Sequence, residues 1–72
     1  MKAIKETDLK RIFGEVMFNE FIAYMKGRTY VNSTTEPMYY TSNINRFLVV
    51  NKIVGWGYGL YQKELMKVEI EV

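Results

Sequence analysis

Apolar residues recur at helical spacing through the first third of the chain, where Leu9, Ile12, Phe13, Val16, Met17, Ala23 and Tyr24 fall on one stripe. Such a stripe marks a helix with one side against a core. Thr7 and Asp8 supply a capping hydroxyl and a first-turn carboxylate, while Lys26 and Gly27 supply a last-turn cation and a residue suited to the left-handed C′ position. The pattern predicts one long helix over residues 8–26. Phe18, Ile22 and Met25, spaced by four and three, project away from that stripe as a second ridge. So short a chain has little material to cover both sides, so the ridge is expected as an exposed patch for self-association or a partner. The alternative is that the second helix or the Trp56 segment folds over it. Glu20 sits on the core stripe, and its burial would require a basic partner, Arg28 or Arg46 before others.

Beyond Gly27 the period changes. Thr29-Tyr30-Val31 and Met38-Tyr39-Tyr40 favour strand and are separated by polar residues, which predicts a hairpin. Thr41-Ser42-Asn43 can cap a second, short helix that carries Ile44, Phe47, Leu48 and Val50 inward, although residues 47–50 also fit a buried strand. Gly55, Gly57 and Gly59 alternate with Trp56 and Tyr58, as suits a bent strand or a bulge. Met66, Val68, Ile70 and Val72 alternate with Lys67, Glu69 and Glu71, the signature of a half-buried strand. The expected architecture is α+β: a long N-terminal helix packed on a small antiparallel sheet, with a short second helix. Seventy-two residues make one domain, 1–72.

Composition narrows the chemistry more than the fold. The chain has no Cys and no His, so it can hold neither a disulfide nor a Cys/His metal site, and nucleophilic triads lack their parts. No cofactor is expected. The eight acidic residues are scattered, and Glu69 and Glu71, two apart on one strand face, read as a solvated face rather than an acid–base pair. Glu20 is the sharpest candidate for a general base, but a structural ion pair fits it better. Gly55-Trp56-Gly57-Tyr58-Gly59 lacks the spacing, the Lys-Ser/Thr and the helix start of a phosphate loop. Trp56 and Tyr58 serve either as core aromatics or as an exposed recognition surface.

Ten basic and eight acidic residues give a net charge of +2 with both signs interspersed, a weak electrostatic case for nucleic acid. Lys26 and Arg28 with Tyr30, Tyr39 and Tyr40 could nevertheless form a basic stacking surface for single strands. Residues 38–48 also look like the wing strand and following helix of small excisionase-type DNA-binding proteins, without the helix-turn-helix that should precede them. No apolar run approaches a membrane span and residues 1–10 do not read as a secretory signal, so the cytoplasm is the expected location.

Phe21-Ile22-Ala23-Tyr24-Met25-Lys26-Gly27-Arg28-Thr29, followed by Tyr39-Tyr40 and Arg46-Phe47-Leu48, resembles a pattern in small phage and mobile-element proteins. In those, an aromatic-rich helix ends in Met-x-Gly-Gln-Thr, and Tyr-Tyr precedes a short helix ending in Arg-Phe. The resemblance spans residues 21–48; Arg28 replaces the pattern's Gln, and Asn43-Ile44 its acidic residue. It implies an accessory factor that binds and redirects a host protein, and it carries over no functional residues. The expected function is therefore a non-enzymatic protein-binding module, a phage-type inhibitor of a host or defence enzyme. Its expected partners are a host or bacterial protein or a second copy of the chain. A small DNA- or RNA-binding regulator is the alternative.

Overall fold

The computed structural model describes residues 1–51 and 56–72, and of Trp56 the backbone only. Along the chain come strand β1 (Lys2–Lys5), helices α1 (Glu6–Phe13) and α2 (Glu15–Tyr24), strand β2 (Met38–Tyr40), helices α3 (Thr41–Val50) and α4 (Trp56–Val68), and strand β3 (Ile70–Glu71). The class is α+β with an antiparallel sheet, but the layout is not one long first helix with a short second one.

The sheet runs in the order β2-β1-β3, so its central strand is the short segment Lys2–Lys5. Ile4 faces Tyr39 across one pair, and Ala3 faces Ile70 across the other. Both Ala3 and Ile4 are fully buried, which makes β1 a spine rather than an edge. The N-terminal amine lies 3.1 Å from Glu71 Oε1, and Lys2 Nζ lies 3.0 Å from Glu69 Oε1. Each of these two carboxylates therefore answers a cation of the β1 end rather than its neighbour. The predicted hairpin survives only as the bridge between Val31 and Met38, on the edge of β2 opposite β1.

The long first helix is interrupted at Gly14, which has φ 82° and ψ 167°. Its N–H still closes α1 on Lys10 O at 2.9 Å, and its carbonyl accepts from the Phe18 N–H at 2.9 Å. The interruption therefore sacrifices little hydrogen bonding while redirecting the chain. Phe13 and Phe21 have ring centroids 6.1 Å apart, whereas eight residues of straight helix would separate their backbones by about 12 Å. The bend also changes which residues face inward. Leu9 and Phe13 of α1 are continued by Phe18, Phe21 and Met25, not by Val16, which is 76% exposed, nor by Ala23.

Phe18 and Met25, each 6% exposed, are thus core residues, and the expected surface ridge exists only at Ile22. Glu20 is moved out to solvent by the same change of phase, and among the described residues it makes no ion pair. Its expected pairing with Arg28 or Arg46 is corrected accordingly. Gly27 takes the positive φ anticipated, 84°, but α2 itself ends at Tyr24 with Met25 as its C-cap, and Gly27 sits in the turn beyond it, where the Arg28 N–H donates to Met25 O at 2.8 Å.

The start of α1 lies one residue before Thr7, and its free N–H groups are met from a distance. Glu6 N–H donates to Pro37 O at 3.0 Å, and Thr7 N–H donates to Glu36 Oε1 at 2.8 Å. That bond, followed by the attraction of Lys5, holds the Glu36 carboxyl below its ordinary 4.5. A carboxylate depressed on folding stabilises the fold above its unfolded value and loses that contribution as the pH falls through the lowered one. The stability gap between wild type and Glu36→Gln should be widest near neutrality and close as melts are taken through 4.5 and below. A gap that grows on acidification would contradict the cap.

α3 carries Ile44, Phe47 and Leu48 into the core as expected, with residues 47–50 helical and Val50 exposed. The region of Gly57 and Gly59 is helix, not bent strand; the Gly55 position lies outside the described residues. The reason is another stripe: Tyr58, Tyr61, Leu65 and Val68 are spaced three, four and three, and they pack on the core together. Tyr61 meets Phe13 edge-on at 5.4 Å, and Gln62 donates a hydrogen bond to Asn45 of α3. Helix α4 therefore absorbs Met66, Lys67 and Val68, the first three residues of the predicted last strand, with Met66 turned outward, and Ile70–Glu71 pair with β1.

Candidate functional site

Where α2 ends, the turn at Gly27 folds the chain back along β2 and leaves an open groove of about 510 Å³. That volume lies within the roughly 300–1,000 Å³ of ligand clefts. Ile22 comes from α2 and Met25 from its C-cap, Lys26, Arg28 and Tyr30 from the turn and the segment after it, Pro37 from the approach to β2 and Tyr39 from β2 itself. The groove thus gathers residues that the sequence divides between an apolar ridge and a basic, aromatic surface.

Its floor is apolar and fixed. Tyr39 is buried, stands edge-on to Phe21 at 5.2 Å, and donates its hydroxyl to Glu6 Oε2 at 2.8 Å. Burial first, then that carboxylate, pushes the Tyr39 hydroxyl far above its ordinary value, so it stays protonated. Its walls are open: Tyr30 is 46% exposed with its ring 5.8 Å from that of Tyr39, and Ile22 is 38% exposed.

The rim is cationic. Arg28 Nε donates to Tyr24 O at 3.2 Å, and its guanidinium carbon stands 4.2 Å from the centre of the Tyr24 ring. Tyr24, read from the sequence as core, is thus also the platform that holds Arg28, and the i,i+4 spacing of the two was the available signal. Among the described residues neither Lys26 nor Arg28 has a carboxylate within ion-pair distance, and no acidic residue lines the groove.

The Tyr24 hydroxyl is buried with no hydrogen-bond partner among the described residues. An orphaned buried hydroxyl is unfavourable, so Tyr24→Phe should raise stability by roughly 1 kcal/mol while keeping the ring under Arg28. Urea melts of the two proteins check this, and a loss of similar size would show that the hydroxyl is satisfied.

The remaining expected site residues lie elsewhere. Phe18 is in the core with Lys10 Nζ 5.9 Å from its ring centre, and Tyr58 packs along the inner stripe of α4. Tyr40 is half-buried where β2 meets α3, and Arg46 is exposed on α3. The Trp56 side chain lies outside the described residues.

A second cleft, of about 430 Å³, runs between α1 and α4 beside Arg11, Ile12, Tyr61, Lys63 and Lys67. Most of its charge is answered locally, since Arg11 pairs with Asp8 at 3.7 Å and Lys67 with Glu64 at 2.8 Å. The Lys67 hydrogen bond and charge hold the Glu64 carboxyl below its ordinary value.

Among the described residues no group of three His, Cys, Asp or Glu side chains could hold a metal ion, and no helix is long and apolar enough to cross a membrane. The chain matches no protein-family model, and no curated protein and no solved structure matches it.

Proposed function

We propose that the chain is a non-enzymatic protein-binding module and that the groove at the end of α2 is its docking site. One observation carries this reading: exposed apolar surface on Ile22 and Tyr30 lies beside two cations that no lining carboxylate neutralises. Aromatic and aliphatic anchors with a charged rim are how protein interfaces concentrate binding energy. Single-stranded nucleic acid asks for several open stacking faces along a basic track. Of the tyrosines that could supply them, Tyr39 is buried, Tyr40 is half-buried outside the groove, and Tyr30 alone is open within it. The protein reading is therefore favoured. The role implied by the sequence resemblance, inhibition of a host or defence enzyme, would be exerted by covering a surface of that enzyme through this groove.

Wild type, Tyr30→Ala, Ile22→Glu and Val16→Glu should be used as parallel baits in host lysate. Truncating an aromatic anchor costs about 2 kcal/mol or more, so the first two variants should lose whatever protein wild type retains by about 30-fold. Val16 is at least as exposed but lies outside the groove, so its variant should retain that protein. Equal retention by all four baits would overturn the assignment.

A further inference from the structure

Resting on that reading, we infer that the groove takes an acidic segment of the partner protein, in which an aspartate or glutamate carboxylate docks on Arg28 beside a large apolar side chain. The guanidinium of Arg28 is held in advance. Its Nε donates to Tyr24 O at 3.2 Å, its guanidinium carbon lies over the Tyr24 ring 4.2 Å from the centre, and its backbone N–H closes the turn on Met25 O at 2.8 Å. An arginine has five N–H donors, of which Nε supplies one; the paired Nη groups remain for the two oxygens of a carboxylate. A side chain so placed has already given up much of the rotamer freedom that usually makes surface ion pairs weak.

The surroundings select the sign and the second feature of the ligand. Lys26 adds a further cation on the same rim, no acidic side chain lines the groove, and Gly27 between them leaves open space where a side chain would begin. Next to this rim lie Met25, Tyr39 and Pro37, a largely apolar floor in which the Tyr39 hydroxyl already donates to Glu6 Oε2 at 2.8 Å. A bare anion would leave that floor wet, and a plain apolar segment would leave Arg28 and Lys26 without a counter-charge. A carboxylate adjoining a large apolar residue satisfies both at once. Nucleic acid would satisfy the cations but offers only one open ring, Tyr30, on which to stack.

The test uses the full chain immobilised and two peptide pools of equal apolar content. In one, Asp or Glu adjoins Leu, Phe or Trp; in the other, Asn or Gln replaces the acid. Wild type should enrich the acidic pool, and Arg28→Gln should weaken its capture by about tenfold or more, since removing one partner of an interfacial charge pair is costly. Arg28→Lys, which keeps the charge but loses the fork, should fall between. Arg46→Gln, which removes an exposed cation outside the groove, should bind as wild type does. Thermal melts of each variant separate lost binding from lost folding.

Equal capture of both pools would overturn the inference. Groove docking would still stand in that case if Ile22→Glu abolished capture of both. Equal losses in Arg28→Gln and Arg46→Gln would reduce the effect to net charge and overturn it too, as would displacement of the acidic pool by a mixed-sequence oligonucleotide at matching concentration. Failure to capture either pool counts against it as well, while groove docking is then decided by the lysate baits.

Discussion

Phe21→Ala should cost about 3–5 kcal/mol, the usual range for deleting a fully buried aromatic ring. Phe21 is completely buried and is the ring on which three others converge, with centroids at 6.1 Å to Phe13, 5.2 Å to Tyr39 and 5.2 Å to Phe47. These belong to α1, β2 and α3, so a cavity here loosens the contact of α2 with three elements together. A domain of 72 residues carries a total stability of only about 4–11 kcal/mol at the usual value per residue. The variant should therefore be largely unfolded near physiological temperature or melt far below wild type. Val16→Ala is the paired control. A straight first helix would put Val16 in the core, whereas the bend leaves it exposed, so its loss should stay within about 0.5 kcal/mol. Urea melts with a Val16→Ala loss as large as that of Phe21→Ala would refute the bent arrangement.

What the sequence disclosed was the local part of this fold. Ile44, Phe47 and Leu48 announce α3 because three neighbours at helical spacing need nothing beyond themselves, and Gly27 announces a helix end because its backbone conformation is a property of the residue. Strand β1 stayed hidden. It is four residues long with two apolar ones, and what makes it a strand is pairing with Tyr39 and Ile70, tens of residues away. Helix α4 was obscured by its glycines. Their alternation with aromatics has the period of a strand, yet burial followed Tyr58, Tyr61, Leu65 and Val68 at the period of a helix.

The candidate site was visible in pieces for the same reason. Ile22 and Met25 stood out as apolar, and Lys26, Arg28, Tyr30 and Tyr39 as basic and aromatic, but only the turn at Gly27 and the return along β2 bring the two sets onto one groove. Met25 shows how one residue answers both descriptions, lying in the core cluster while forming the floor beside Tyr39. Glu20 fails in the opposite way. Its supposed burial depended on a straight helix, and with the bend in place it needs no partner.

Gly14→Ala should destabilise the domain by about 1–3 kcal/mol, the range for a non-glycine residue held in a backbone region that only glycine occupies readily. Gly14 sits at φ 82° and ψ 167°, and an added Cβ would meet nothing within 4 Å. The expected loss is thus conformational rather than a collision. The chain could escape the strain only by continuing α1 straight into α2, and that is the costlier course. In a continuous helix each residue turns about 100°, so Phe18 would point roughly 140° from Phe13 instead of joining it in the core. Phe18, Phe21 and Met25 would leave their places together, whereas Val16 and Glu20 would turn inward. Alanine's better helix propensity, worth about 1 kcal/mol over glycine, does not offset three displaced core side chains. A chain synthesised with D-alanine at position 14, which favours positive φ, should hold the bend and melt near wild type. Should L-alanine instead melt together with wild type, the bend at Gly14 is not what places Phe18, Phe21 and Met25 in the core.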